Sequence, residues 1–241
     1  ERLRAQAESV ADRLRDALLP PIETRLGPFD VDVFHAPADR DDRIGGDFFD
    51  VVVQGDHAVL VIGDVVGHGL AAANQMAMVR AMLRTTVATV GTDPDRVLAT
   101  ANSIFEQVCG VGAPFATVAL ATVGLTDGGV RVATAGHPRP VVRHCGGAHS
   151  VSVVPGPPLG VVPEATYHVG SEDFGPGDWL ALFTDGVFER RDQPIDESIE
   201  AVIVELDEHV TAASIAEAAS SSRTDGRRTD DDRVVLLIRG R

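Results

Sequence analysis

Apolar positions in the first twenty residues step as Leu3, Ala7, Val10, Leu14 and Ala17, with gaps alternating between four and three and charged residues between them. This heptad-like stripe predicts a helix, which Pro20-Pro21 stops. The pattern then shifts to short β-like runs at residues 31–35, 48–53 and 58–62, the last two joined by the hairpin-type turn Gln54-Gly55-Asp56-His57. Residues 70–90 are rich in Ala, Met and Leu and free of breakers, which predicts a helix. A second helix is expected from Pro94 to Val108, with Pro in its first turn and Thr92 or Asp93 as its cap. Strand character returns at residues 115–123, 130–135, 141–143, 167–169 and 179–184, between Gly/Pro-rich turns. Helices at 197–208 and 212–220, a polar loop over 221–232 and a last strand at 234–238 complete the series. Strands, helices, strands, helices and a closing strand predict an α+β fold, with antiparallel sheets covered by helices rather than a parallel βαβ sheet.

Residues 25–241 contain no linker and no internal repeat, so they read as one catalytic-type domain preceded by a regulatory or linker helix over residues 1–24. Two readings of that helix stand side by side. It is a surface helix packed on its own domain, or it is the end of a signalling helix from an upstream sensor domain, pairing two copies through Leu3, Val10 and Leu14. A start at Glu1 with no initiator Met favours a piece cut from a longer chain.

Composition narrows the function. The chain has 241 residues, 44% of them hydrophobic, enough for a sizeable core. Its 21 basic against 36 acidic residues leave a net charge of −15, which repels polyanions and excludes nucleic acid and anionic membranes as expected partners. Every basic residue is arginine, so Schiff-base and P-loop lysine chemistry is unavailable. Cys109 and Cys145 fall in no CxxC or Cys/His spacing, which argues against zinc and disulfide frameworks and for reduced, inert thiols. The apolar runs are too short to span a bilayer and the polar start is no signal peptide, so a cytoplasmic location is expected.

The chemistry concentrates in four places where an apolar strand delivers an aspartate to a turn: Gly46-Asp47, Gly63-Asp64, Thr184-Asp185-Gly186 and Asp231-Asp232. Each alone is an ordinary turn. Together they place carboxylates at one rim, where they would repel one another and protonate unless cations neutralised them. Oxygen donors suit Mg²⁺ or Mn²⁺, and two such ions about 3.5–4 Å apart lower the pKa of a shared water enough for attack on phosphorus. A structural Ca²⁺ loop is the weaker reading, because no run matches EF-hand spacing.

Five ordered motifs carry a resemblance: Gly45-Gly46-Asp47-Phe48-Phe49-Asp50, Gly63-Asp64-Val65-Val66-Gly67-His68-Gly69, Ala135-Gly136-His137-Pro138, Phe183-Thr184-Asp185-Gly186-Val187-Phe188-Glu189 and Asp231-Asp232. The chain resembles the SpoIIE/RsbU branch of the PPM (type-2C) metal-dependent Ser/Thr phosphatases, from about Leu18 to Arg239. The resemblance implies a sandwich of two antiparallel β-sheets flanked by helices, with a dimanganese or dimagnesium centre at one edge. It further implies that Asp64 bridges the metals, that the Val65 carbonyl ligates one, and that Asp47, Asp185 and Asp231 complete the set, with Asp232 the second member of its pair. The implied activity is dephosphorylation of phosphoserine or phosphothreonine in a regulatory partner, a STAS-type anti-sigma-factor antagonist. A non-catalytic module binding a phosphoprotein is the rival of another class, and a dimetal phosphodiesterase the second enzymatic one. Phe49, Val66 and Val234 stand where relatives commonly carry tyrosine, a small polar residue and threonine.

Other candidates have simpler readings. His68, between two glycines, is within reach to protonate a leaving alkoxide, yet a turn hydrogen bond accounts for it. His137 reads as a turn or core residue, and Arg40 and Arg43, flanked by Asp39, Asp41 and Asp42, as solvated ion pairs rather than phosphate ligands. Met76, Met78 and Met82 fit core packing on their helix.

Overall fold

The computed structural model describes residues 22–37, 45–67, 69–110, 114–188, 193–204, 206–222 and 231–241. The N-terminal heptad stripe, Arg40, Arg43 and His68 lie outside these residues. The chain order is β1 (Arg25–Leu26), β2 (Phe29–Ala36), β3 (Phe48–Gln54), β4 (His57–Val65), α1 (Leu70–Val90), α2 (Pro94–Cys109), β5 (Ala116–Gly124), β6 (Gly129–Ala135), β7 (Val141–His144), β8 (Gly147–Ser150), β9 (Gly170–Asp173), β10 (Trp179–Phe183), α3 (Asp185–Phe188), α4 (Ile195–Ile203), α5 (Ala212–Ser221) and β11 (Arg233–Gly240).

The strands form two sheets, ordered β1-β2-β11-β10-β7-β8 and β3-β4-β5-β6-β9, with every strand pairing antiparallel. Strand alternation explains the stacking. In β4, Leu60 and Ile62 meet Leu180, Leu182, Leu236 and Phe49 between the sheets, while Val59 and Val61 turn outward onto Met76, Leu83, Leu98 and Phe105 of α1 and α2. In β10, Ala181 and Phe183 face the opposite layer, where Ile199, Ile215 and Ala219 of α4 and α5 cover them. Both faces of the central strands are therefore buried, which is why residues 58–62 and 179–183 read as unbroken apolar runs rather than alternating ones. The α+β sandwich expected from the resemblance is the fold observed.

Several local expectations change. The strand expected at 167–169 begins instead at Gly170, because β6 offers only Gly129–Val132 for pairing, opposite Gly170–Asp173; Tyr167 packs into the α1/α2 core from a loop. The turn expected around Gly146-Gly147 opens a further strand, β8, and Arg25–Leu26 pairs with Phe29–Asp30 as a short hairpin. The helix expected over 197–208 spans Ile195–Ile203, and the Leu206 N–H donates to the Ile203 carbonyl in an i→i+3 turn that closes it. Asp93 stands at the N-cap of α2 without a side-chain cap bond, because its carboxylate accepts from Arg131 of β6. Met76 is buried and Met78 and Met82 pack against the same core, as expected.

One polar contact pins α1 to its sheet. Asp50 of β3 is almost wholly buried and accepts from Arg84 Nε at 2.9 Å and from a second guanidinium nitrogen at 2.8 Å. Arg84→Ala removes the cation beside that carboxylate and leaves it the Val51 N–H at 2.9 Å, and the expected loss is about 2 kcal/mol of unfolding free energy by denaturant titration. In an Asp50→Asn background the same substitution should cost far less; equal losses in both backgrounds would rule out the pair as the cause.

Candidate metal centre

Antiparallel pairing carries the aspartates to one end of the sandwich. In the β3/β4 hairpin Phe48 lies opposite Gly63, so one step further Asp47 faces Asp64, and the Val65 N–H donates to the Gly46 carbonyl at 3.2 Å. In the other sheet Phe183 of β10 lies opposite Val235 of β11, which sets Asp185 just beyond one strand end and Asp231-Asp232 just before the other. Thr184 and Val234 close this ladder twice: Thr184 N–H donates to the Val234 carbonyl at 3.1 Å, and Val234 N–H donates to Thr184 Oγ1 at 3.0 Å. The Thr184 side chain also lies close enough to the Asp47 carboxylate, across the two sheets, to favour its ionised form.

Electrostatics show that these groups share one space. Burial, then the neighbouring Asp64, then Asp232 and Asp231 raise Asp47 well above the ordinary carboxylate range, against the lowering effect of the Thr184 side chain. Asp64 is raised to about 7, first by burial, then by Asp185, Asp231 and Asp232, with a Val65 backbone bond opposing. Asp47 Oδ2 is buried and meets no hydrogen-bond partner among the described residues. An acceptor-only oxygen at a buried rim of carboxylates is a ligand position for a hard cation. The donor set therefore fits divalent oxygen-liganded ions.

Glycines make the approach possible. A Cβ on Gly46 would sit 2.6 Å from Asp64 Oδ1 and overlap the Val65 carbonyl oxygen, one on Gly45 would overlap the Asp232 carboxylate, and one on Gly186 the Asp232 carbonyl. The structure thus brings together Asp47, Asp64, the Val65 carbonyl, Asp185 and Asp231. It also buries Asp232 against Gly45, while Asp231 is the exposed member of the pair, its carboxylate accepting from the Asp232 N–H at 2.8 Å.

His137 supports the rim without entering it. It is buried, with Nδ1 2.8 Å from Thr117 Oγ1 and Nε2 3.1 Å from the Phe183 carbonyl. With the Nε2 proton donated to that carbonyl, Nδ1 accepts from Thr117, which pairs with Asp64. Burial pushes this imidazole down to about 4, so it is neutral at pH 7 and ties one sheet to the other beside the aspartates. This agrees with its reading as a turn or core residue. Thr184 and Thr117 were not recognisable as supports, because their partners lie in the opposite sheet or across a strand. Phe49 and Val234, at positions where relatives carry hydroxyls, are buried between the sheets, whereas Val66 is exposed.

A family model described as Stage II sporulation protein E (SpoIIE) matches residues 54–241. Protein IcfG of Synechocystis sp. is 27% identical over 174 residues, 61% of this chain and 27% of its own length, so the chain spans about a quarter of that relative. The solved RsbU and RsbW domains of Rv1364c from Mycobacterium tuberculosis are 29% identical with a TM-score of 0.69, over 88% of this chain and 60% of that one. The SiaA-PP2C domain of Pseudomonas aeruginosa superposes with a TM-score of 0.79 over 100% of this chain and 98% of its own, and at 17% identity that likeness shows the fold. Motif order, two-sheet architecture and the family match over residues 54–241 make this chain a member of the Stage II sporulation protein E (SpoIIE) family, in the SpoIIE/RsbU branch of the PPM phosphatases.

Proposed function

We propose that this chain removes phosphate from serine or threonine of a regulatory protein, with two Mn²⁺ or Mg²⁺ ions held by Asp47, Asp64, the Val65 carbonyl, Asp185 and Asp231. The observation that carries the proposal is the convergence of carboxylates from both sheets on a rim where Asp64 is raised to about 7 and Asp47 Oδ2 has no protein partner among the described residues. Such ions supply charge for the equatorial phosphoryl oxygens and a nucleophilic water near neutral pH. The chain's own residues set the geometry. Thr184 favours the ionised form of Asp47, Gly46 lets the Val65 carbonyl approach, and the neutral His137 ties one sheet to the other. The motif resemblance supports direct attack by that water, with no covalent phosphoenzyme.

Residues 25–241 would be the catalytic unit and residues 1–24 a regulatory helix that pairs two copies and receives a signal from an upstream sensor domain. The partner we favour is a phosphorylated STAS-type anti-sigma-factor antagonist, which the motif resemblance supports and with which the pairing of RsbU and RsbW domains in Rv1364c agrees. No described helix is long and apolar enough to cross a membrane, and the reading includes a cytoplasmic location. The test is phosphate release from a phosphoserine protein with Mn²⁺ and with EDTA, beside a nucleotide and a phosphodiester as alternative substrates. Metal-dependent release from the phosphoprotein is expected. Release confined to the phosphodiester would overturn the substrate class, and binding of the phosphoprotein with no release by metal-loaded protein would establish the non-catalytic module.

A further inference from the structure

At the far end of β10 from Asp185, roughly 20 Å away at 3.3 Å per strand residue, a second polar cluster sits where apolar side chains are due. His149 lies opposite Val142 in the β7/β8 hairpin, and His144 is two residues from Val142, so both stand on the face of their sheet that lines the inter-sheet core. Glu172 of β9 lies opposite Val130, which faces the same core from the other sheet. The three therefore meet between the edge strands β8 and β9, at the open side of the sandwich. His144 Nε2 is 3.6 Å from one Glu172 oxygen and His149 Nε2 is 3.5 Å from the other. One donor atom from each residue lies within 4.8 Å of the other two.

We propose that His144 Nε2, His149 Nε2 and the Glu172 carboxylate form a site for one divalent transition ion of the zinc class, separate from the aspartate rim, which joins the edges of the two sheets. Two imidazoles and a carboxylate suit Zn²⁺, Co²⁺, Ni²⁺ or Cu²⁺ rather than the hard ions of an all-oxygen site. Donors around a tetrahedral ion with bonds of 2.0–2.2 Å stand about 3.3–3.6 Å apart, and His144 and His149 stand 3.6 and 3.5 Å from the two different oxygens of Glu172, on either side of one carboxylate. The hydrogen bonding around His144 is that of a ligand. Its Nδ1 lies 3.1 Å from Asp178 Oδ2, and donation of the Nδ1 proton there leaves the Nε2 lone pair facing Glu172. Asp178 is held in turn by the Gly175 N–H at 2.9 Å. A fourth position is left for water. The exclusion of zinc drawn from cysteine spacing concerns thiolate sites, and this cluster contains none.

Titration with Co²⁺ followed by visible absorption tests the assignment, because tetrahedral nitrogen-liganded cobalt absorbs strongly where octahedral oxygen-liganded cobalt is nearly colourless. One equivalent of strongly absorbing cobalt, displaced by Zn²⁺, is expected in the wild-type protein and in Asp64→Asn. The band should vanish in His149→Ala, whose ring is half exposed, and in Glu172→Ala. A zinc-dependent rise in Tm in the Asp64→Asn protein should disappear when His149→Ala is added. A weak cobalt spectrum in the wild type, or a strong band that survives both substitutions, would overturn the site.

Discussion

Asp64→Asn is expected to abolish phosphate release, by at least about 10³-fold, beyond the 10–100-fold typical of losing an outer-shell partner. The same change should make the metal-free protein more stable at pH 8. In the unfolded chain this carboxyl titrates near 3.8, whereas in the folded chain it is raised to about 7. A folded-state pKa above the unfolded one contributes stability below pH 4 and loses it as pH rises through 7. The free carboxylate therefore burdens the folded state fully above pH 7, by on the order of 2–4 kcal/mol. Asparagine carries no such burden. Denaturant titrations in EDTA should show the variant more stable than wild type at pH 8 and nearly equal to it at pH 4. Adding Mn²⁺ at pH 8 should reverse the order, because only the wild type gains the full free energy of ion binding. Equal metal-free stabilities at pH 8 would mean that Asp64 does not face the other carboxylates as described.

Gly46→Ala is the second large effect. The backbone at Gly46 lies outside the left-handed region, so the cost comes from the space that the new methyl needs, against Asp64 Oδ1 and the Val65 carbonyl. The Val65 carbonyl belongs to backbone held in the β4/β5 ladder, where Val65 pairs with Ala116, and the rim must open by about 1 Å, a displacement able to cost about 10²-fold in rate. Mn²⁺ affinity by calorimetry should fall about 10–100-fold with the fold intact by circular dichroism. Gly45→Ala meets only the end of the Asp232 side chain and should do less. Wild-type affinity in Gly46→Ala would remove the Val65 carbonyl from the centre.

What could be read from the chain follows from how local each signal is. The apolar runs at 58–62 and 179–184 and the breaker-free stretch at 70–90 are contiguous, so they announce buried strands and a long helix. The aspartate turns were visible because each carboxylate stands next to a glycine or a second aspartate at or near a strand end. Strands β8 and β9, of four residues each, are too short for periodicity, and their inward positions carry His149 and Glu172 where alternation expects apolar groups. Asp50 and Arg84 are separated by 34 positions, and His137 and Phe183 by 46, so their pairing emerges only from the fold. Asp93 looked like a cap because its partner Arg131 is 38 residues away.

The place of β11 has a consequence for the order of events during synthesis. It pairs along its whole length with β2, joining Gly240 to Phe29 and Arg233 to Ala36, and on its other side with β10. A strand made late thus lies in the middle of a sheet begun early, and the aspartates that precede it arrive with it. Until the ribosome has released this segment, the emerging chain holds Asp47, Asp64 and Asp185 but lacks the strand that brings β2 and β10 together. The carboxylate rim can therefore be complete only after translation has passed residue 240 and β11 has taken its place between β2 and β10.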